Sequence, residues 1–235
     1  YNISVEKEGY QKHEQWEDLL NNLTKEVILM KTIPPVTEPS GLDPNDPTWC
    51  PPEGWTKVWK FLTEDELEDF TQGDYYYAYV EDGILKFNPP LSINPAYAAR
   101  SIIGKYVKKI AICFRISVSV PSYSYFITCS LYDGSNYLDF DADTVQDDAT
   151  KLQICDYLYN TCEYFDNPND WMVLVFDYET RKLRVYDKNK NLLAEITLQP
   201  VSTTDKEYYL ELSEDNWTSS VFDLEVDWVA IQEAQ

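Results

Sequence analysis

The sequence is poor in the residues that mark most catalytic centres. It contains one histidine, His13, which argues against a Ser/His/Asp or Cys/His relay and against a histidine-built zinc site. Only 7 glycines occur, and none forms a Gly-rich phosphate loop. No apolar run reaches the roughly 18 residues that a membrane-spanning helix requires. Basic residues are scarce as well: 19 Lys and Arg stand against 41 Asp and Glu, for a net charge of −22. Such a surface repels phosphate backbones and anionic headgroups, so nucleic acid and membrane-surface partners are disfavoured. The 5 cysteines are odd in number and lack paired C-x-x-C spacing. No signal peptide is visible, and an opening at Tyr1 rather than Met suggests a trimmed or a mature form.

What the chain does contain is a globular composition, with 44% hydrophobic and 15% aromatic residues. From Lys109 to Gln232 it runs through strand-like segments with no helical period between them. Ile110, Ile112, Phe114, Ile116, Val118 and Val120 alternate with Ala111, Cys113, Arg115, Ser117 and Ser119, the period that puts one face of a strand on a core. Further strands are expected at 171–178, 182–187, 192–198, 207–212 and 221–231, each bounded by turn residues. The expected core comprises Ile110, Ile112, Phe114, Ile116, Val118, Leu174, Phe176, Phe222, Leu224, Val226 and Trp228.

Upstream, Trp16, Leu19, Leu20, Leu23, Val27 and Met30 fall at three- and four-residue spacing, which predicts a helix within residues 1–31. Its apolar stripe must dock on the sandwich or on another chain. Residues 32–53 read as a proline-rich extended linker, and the sandwich is expected over 54–235. Thr63 and Glu66 have the spacing of a capping box. A hairpin is expected around Glu81-Asp82-Gly83, and 88–104 reads as a long loop. Cys113 and Cys129 lie eight residues either side of Pro121, so a turn centred there would set two buried thiols opposite one another. Cys155 and Cys162 flank an expected loop and could close it.

The succession "VEDGILKF", "KKIAICFRISVSV", "SLYDGSNYLDFD", "WMVLVFDYETRKLRVYDKNKNLLAEITL" and "FDLEVDWVAIQ" resembles the concanavalin A-like lectin/glucanase jelly rolls over about residues 55–233. The resemblance implies an all-β jelly-roll β-sandwich. It also implies a non-catalytic carbohydrate-binding protein or domain, secreted, periplasmic or at the cell surface, with a glycan as partner. The alternatives are a glycoside hydrolase of the glucanase type and a structural or adhesion domain that binds protein. A monomer or weak homo-oligomer without membrane insertion is expected.

Three groups of residues could carry such a function. Asp223-Leu-Glu225-Val-Asp227 resembles an inverted copy of the E-x-D-x-E strand motif of the glucanases, with its carboxylates on one face. Asp139, Asp141 and Asp143 alternate on a strand about 7 Å apart and are candidate ligands of a structural Ca2+. The run is no EF-hand, because Thr144 and Thr150 stand where Gly and Glu are needed. No other cofactor is expected. Tyr75, Tyr77, Tyr79, Tyr123, Tyr125 and Tyr137 belong to a supply of 19 tyrosines that exceeds the needs of one core. Tyrosine rings offer stacking faces for sugars, with a polar tip that tolerates water.

Overall fold

The computed structural model describes residues 2–5, 13–16, 40–70, 78–87, 96–102, 107–132, 136–156, 160–199, 207–214 and 221–233. Contacts divide the chain into two units, 1–37 and 38–235. In the first, β1 (Asn2–Val5) and β2 (His13–Trp16) pair antiparallel. The predicted N-terminal helix therefore does not begin at His13: these four residues are strand, and the rest of that stretch lies outside the described residues.

The second unit is built from β3 (Lys57–Trp59), β4 (Ala78–Glu81), β5 (Ile84–Phe87), β6 (Ala96–Ile102), β7 (Val107–Val120), β8 (Ser124–Tyr132) and β9 (Asn136–Val145). It continues with β10 (Asp148–Asp156), β11 (Thr161–Asp166), β12 (Met172–Asp177), β13 (Lys182–Asp187), β14 (Leu192–Thr197), β15 (Glu207–Glu214) and β16 (Val221–Glu233). One sheet has six strands in the order β11-β10-β9-β8-β15-β6. The other has eight, in the order β14-β13-β12-β7-β16-β5-β4, with β3 also on β16. All described pairings within both sheets are antiparallel. The β-sandwich expected from the sequence is the architecture observed. Its core joins Ile112, Phe114 and Leu224 of the larger sheet to Phe126, Phe140 and Leu210 of the smaller.

Several local expectations are corrected. Residues 96–102, read as loop, form β6, an edge strand on β15. β7 and β8 belong to different sheets, so Pro121 lies in a crossover rather than a hairpin, and Cys113 and Cys129 do not face each other. Both are free buried thiols, one in each of two apolar clusters. Thr63 makes no side-chain cap; Glu66 accepts instead from the backbone N–H groups of Lys60 (3.1 Å) and Leu62 (2.7 Å). The Asp82-Gly83 hairpin is as expected, with both residues at positive φ, 54° and 75°, the primed turn that suits the strand twist. Cys155 and Cys162 are disulfide-bonded, as a cross-strand pair between β10 and β11.

The stretch from Ser40 to Thr56 is no free linker. Trp49 is fully buried, and it packs with Leu42, Trp171 and Trp228 on the outer face of the eight-stranded sheet. That face can take indole rings because it presents Ala111, Cys113 and Ala230, which leave the room. The indole N–H groups of the buried Trp49 and Trp228 and of the half-buried Trp55 donate to the carbonyls of Asp43 (3.0 Å), Leu42 (2.9 Å) and Pro44 (2.8 Å), so none of these donors is orphaned. Trp228 was expected beside Phe222, Leu224 and Val226. A break in register between Val226 and Trp228 reverses the alternation and sends its ring to the opposite face.

Candidate functional site

Register builds a polar row across the larger sheet. Arg115 of β7 stands opposite Glu225 of β16, Glu225 opposite Lys86 of β5, and Lys86 opposite Tyr79 of β4. Directly opposed residues share a face, so these four side chains lie side by side on the outer surface. One step along, Ser117 opposes Asp223 and reaches its carboxylate at 3.4 Å. The Arg115 Nε donates to Glu225 Oε2 at 2.6 Å, while its guanidinium lies 4.9 Å from the Trp171 ring centre. Lys86 bridges Glu81 at 2.9 Å and Glu225 at 3.9 Å. The row from Arg115 to Tyr79, with Ser117 and Asp223, lines an open cleft of about 420 Å³ together with Asn169 and Glu214. Asn169 has a left-handed backbone, φ 51°, and its N–H is held by the buried Asn167 side chain. Tyr79 lies 37% exposed at the rim.

Glu214, at the end of β15, is the unusual member. It is 6% exposed, and burial, with the charge of Asp223 second, pushes its carboxyl up to about 8; the Leu224 N–H opposes the rise. At neutral pH Glu214 is therefore mostly a protonated acid, a donor rather than a base. The Asp223, Glu225 and Asp227 triplet is divided. Asp223 and Glu225 reach the cleft, whereas Asp227, at the register break, is buried and accepts from Ser40 Oγ.

A second constellation occupies the smaller sheet. Phe140 and Ala142 point into the core, which turns Asp141 and Asp143 to the other face of β9. Tyr125, Asp143, Gln153 and Tyr164 are opposed across β8, β9, β10 and β11. The neighbouring row is Thr128, Asp141, Cys155 and Cys162. Tyr123 and Tyr125 meet edge to face, with ring centres 5.4 Å apart. The three aspartates, candidate Ca2+ ligands in the sequence, are buried, at 0–1% exposure. Asp139 leaves the alternation at a register break and forms a two-pronged pair with Arg181, one contact at 2.9 Å. Asp141 and Asp143 face each other.

The tyrosines expected to form one platform fall on two sheets, Tyr79 on the larger and Tyr123 and Tyr125 on the smaller. Tyr75 and Tyr77 lie outside the described residues; Tyr137 is on β9, with its side chain outside them. Sequence reasoning missed Arg115, Lys86, Asn169 and Glu214. No sequence signal marks them, because they meet only through strand register and crossover.

No family model and no curated protein matches the sequence. Solved structures do resemble it. An endo-acting O-glycanase of the human gut microbiota, named for initiating mucin breakdown, is 14% identical; the match covers 77% of this chain and 100% of that one, with a TM-score of 0.50. A Bacillus licheniformis β-glucanase is 16% identical over 71% of this chain and 86% of its own, with a TM-score of 0.42. A sialidase is 12% identical over 71% of this chain with a TM-score of 0.47, and the chain spans 17% of that protein's length. At such identities the likeness speaks of architecture, and with the two antiparallel sheets it identifies the fold: residues 38–235 form a concanavalin A-like jelly-roll β-sandwich.

Proposed function

We propose that the protein binds carbohydrate, without cleaving it, in the cleft lined by the polar row of the eight-stranded sheet and by Glu214 of the six-stranded one. The observation that carries this reading is the row Arg115–Glu225–Lys86–Tyr79 with Asn169, Asp223 and Glu214 around one open cleft. Sugars need an aromatic face for their C–H surface and a mixed set of donors and acceptors for their hydroxyls. Tyr79 supplies the first; the amide, the guanidinium, the carboxylate and the protonated carboxyl supply the second. Glu225 is held by Arg115 and Lys86, which suits a fixed hydrogen-bond acceptor better than a nucleophile. The disulfide supports a secreted, periplasmic or surface location, where thiols are oxidised.

One observation favours a second reading, glycoside hydrolysis. Burial, with the charge of Asp223 second, raises the Glu214 carboxyl at one cleft, which sets a protonated acid near a second carboxyl group, the pairing that general acid catalysis uses. A glycan array probed with wild type and Tyr79→Ala tests the first reading, and release of reducing ends from every bound glycan tests the second. Binding that is lost in Tyr79→Ala, with no reducing ends released, is the expected result. Release abolished by both Glu214→Gln and Asp223→Asn would overturn the non-catalytic reading, and absence of any binding would overturn both.

A further inference from the structure

Asp141 and Asp143 pose a problem of charge. Both are 0% exposed. Both oxygens of Asp141 and Oδ1 of Asp143 have no hydrogen-bond donor. The remaining oxygen, Asp143 Oδ2, accepts from Gln153 Nε2 at 3.1 Å, and the Tyr123 side chain also bonds to this carboxyl. Among the described residues no lysine or arginine pairs with either aspartate; Arg181 is committed to Asp139. A buried charge without a partner is among the most costly features a fold can hold, so such groups are neutralised by a counter-charge, a metal or a proton.

We infer that Asp141 and Asp143 form a buried site for a hard divalent cation on the outer face of the six-stranded sheet. One ligand atom each from Asp141, Asp143 and Cys155 lie within 4.8 Å of one another, a spacing that one ion can bridge. The Cys155 sulfur is in the disulfide with Cys162, so it has no thiolate to offer and stands 3.7 Å from Asp143 Oδ2 as a wall. What remains is three open carboxylate oxygens with the Tyr123 hydroxyl beside them, an all-oxygen set. Oxygen donors select Ca2+, Mg2+ or Mn2+ over thiophilic metals. A charge of +2 cancels the two carboxylates. Asp139 takes no part, because Arg181 occupies it.

The alternative occupant is a proton shared by the two carboxyls. Burial raises both carboxyls well above the usual carboxylate range; the charge of Asp156 adds to the rise at Asp141 and that of Asp141 to the rise at Asp143, and a cation would displace the shared proton. The experiment uses the whole chain with its disulfide intact. After chelator treatment, thermal melting and titration calorimetry are run at pH 7.5 and pH 5.5 with Ca2+, Mg2+ and Mn2+ in turn. We expect at least one of the three to raise the melting temperature at pH 7.5 by about 5–10 °C at a hundredfold excess over its Kd, with release of protons measured in two buffers. The response should shrink at pH 5.5. Asp141→Asn and Asp143→Asn should each abolish it, and Asp139→Asn should keep it. If no cation binds wild type at pH 7.5, the pair holds a proton and the inference is wrong. If binding survives Asp141→Asn unchanged, the ion sits elsewhere on this acidic surface and the inference fails too. The wild-type proton release decides the matter even if a variant does not fold. None of these readouts depends on glycan binding, so this inference and the proposed function stand or fall separately.

Discussion

Replacing Glu214 with Gln should stabilise the protein at neutral pH, where the same change at a water-exposed site would have almost no effect. The carboxyl is buried, and it titrates at about 8 in the fold against an ordinary 4.5. Between those values the folded state binds more protons than the unfolded state, so the free energy of unfolding falls as pH rises through that window. Keeping a carboxyl of ordinary pKa 4.5 protonated at pH 7 costs about 3 kcal/mol, since each pH unit is worth about 1.4 kcal/mol. Gln keeps the shape, can accept from the Leu224 N–H and carries no charge to desolvate. Relaxation around the ionised group and water entry will recover part of the cost, so a gain of about 1–2 kcal/mol is expected, or roughly 2–8 °C in melting temperature for a chain of this size. The assay is a set of paired thermal melts from pH 4 to pH 9. The curves of Glu214→Gln and wild type should coincide near pH 4 and diverge progressively up to about pH 8. A variant that melts at or below wild type at pH 7.5 would refute the assignment of a protonated, buried Glu214. If the proposed cleft is right, wild-type glycan affinity should also fall above pH 8, as the donor is lost.

Phe114→Ala should cost about 3–5 kcal/mol in denaturant unfolding, since Phe114 is fully buried between the sheets against Phe126; an unchanged midpoint would mean that the cavity does not form. Arg181→Met removes the partner of a buried Asp139 and the cation facing Phe176 and Tyr178, and should destabilise by about 3–5 kcal/mol. Its effect should be smaller when Asp139→Asn is already present, and additivity of the two would contradict a direct pair. Reducing Cys155–Cys162, which are separated by 7 residues, should cost about 2–3 kcal/mol through the entropy of the closed loop, read as a lower melting temperature in reductant. Tyr79→Ala should leave the melting temperature within about 2 °C of wild type, because the ring is already partly in water, and should weaken glycan binding at least about tenfold; a large drop in stability would make Tyr79 a packing residue.

Strand identity was legible because it is a local matter. The alternation in β7 and in the first half of β16 reports which side chains meet the core, and Ile112, Phe114, Phe222, Leu224 and Val226 are all buried in it. The Asp82-Gly83 turn was legible for the same reason, since two positive-φ residues in sequence leave few other geometries. The alternation could not reveal the register break at Asp227, which costs the sequence no unusual residue yet carries Trp228 to the other face and buries Asp227 under Ser40. Nor could it show that Leu42 and Trp49, in a stretch whose prolines suggest an extended linker, would find the small side chains of Ala111, Cys113 and Ala230 as a floor.

The candidate sites mark the same boundary. The sequence determines that Asp139, Asp141 and Asp143 lie on one strand and that Asp223 and Glu225 share a face, because spacing along a strand is covalent. Whether those carboxylates meet water, a guanidinium or one another depends on which strands the crossovers bring alongside and in what register. That is how Asp139 came to Arg181 across 42 positions and Glu225 to Arg115 across 110, while Asp141 and Asp143 meet no lysine or arginine among the described residues. Pairings over such distances in sequence are settled by the burial of the whole core, and only the tertiary structure carries that information.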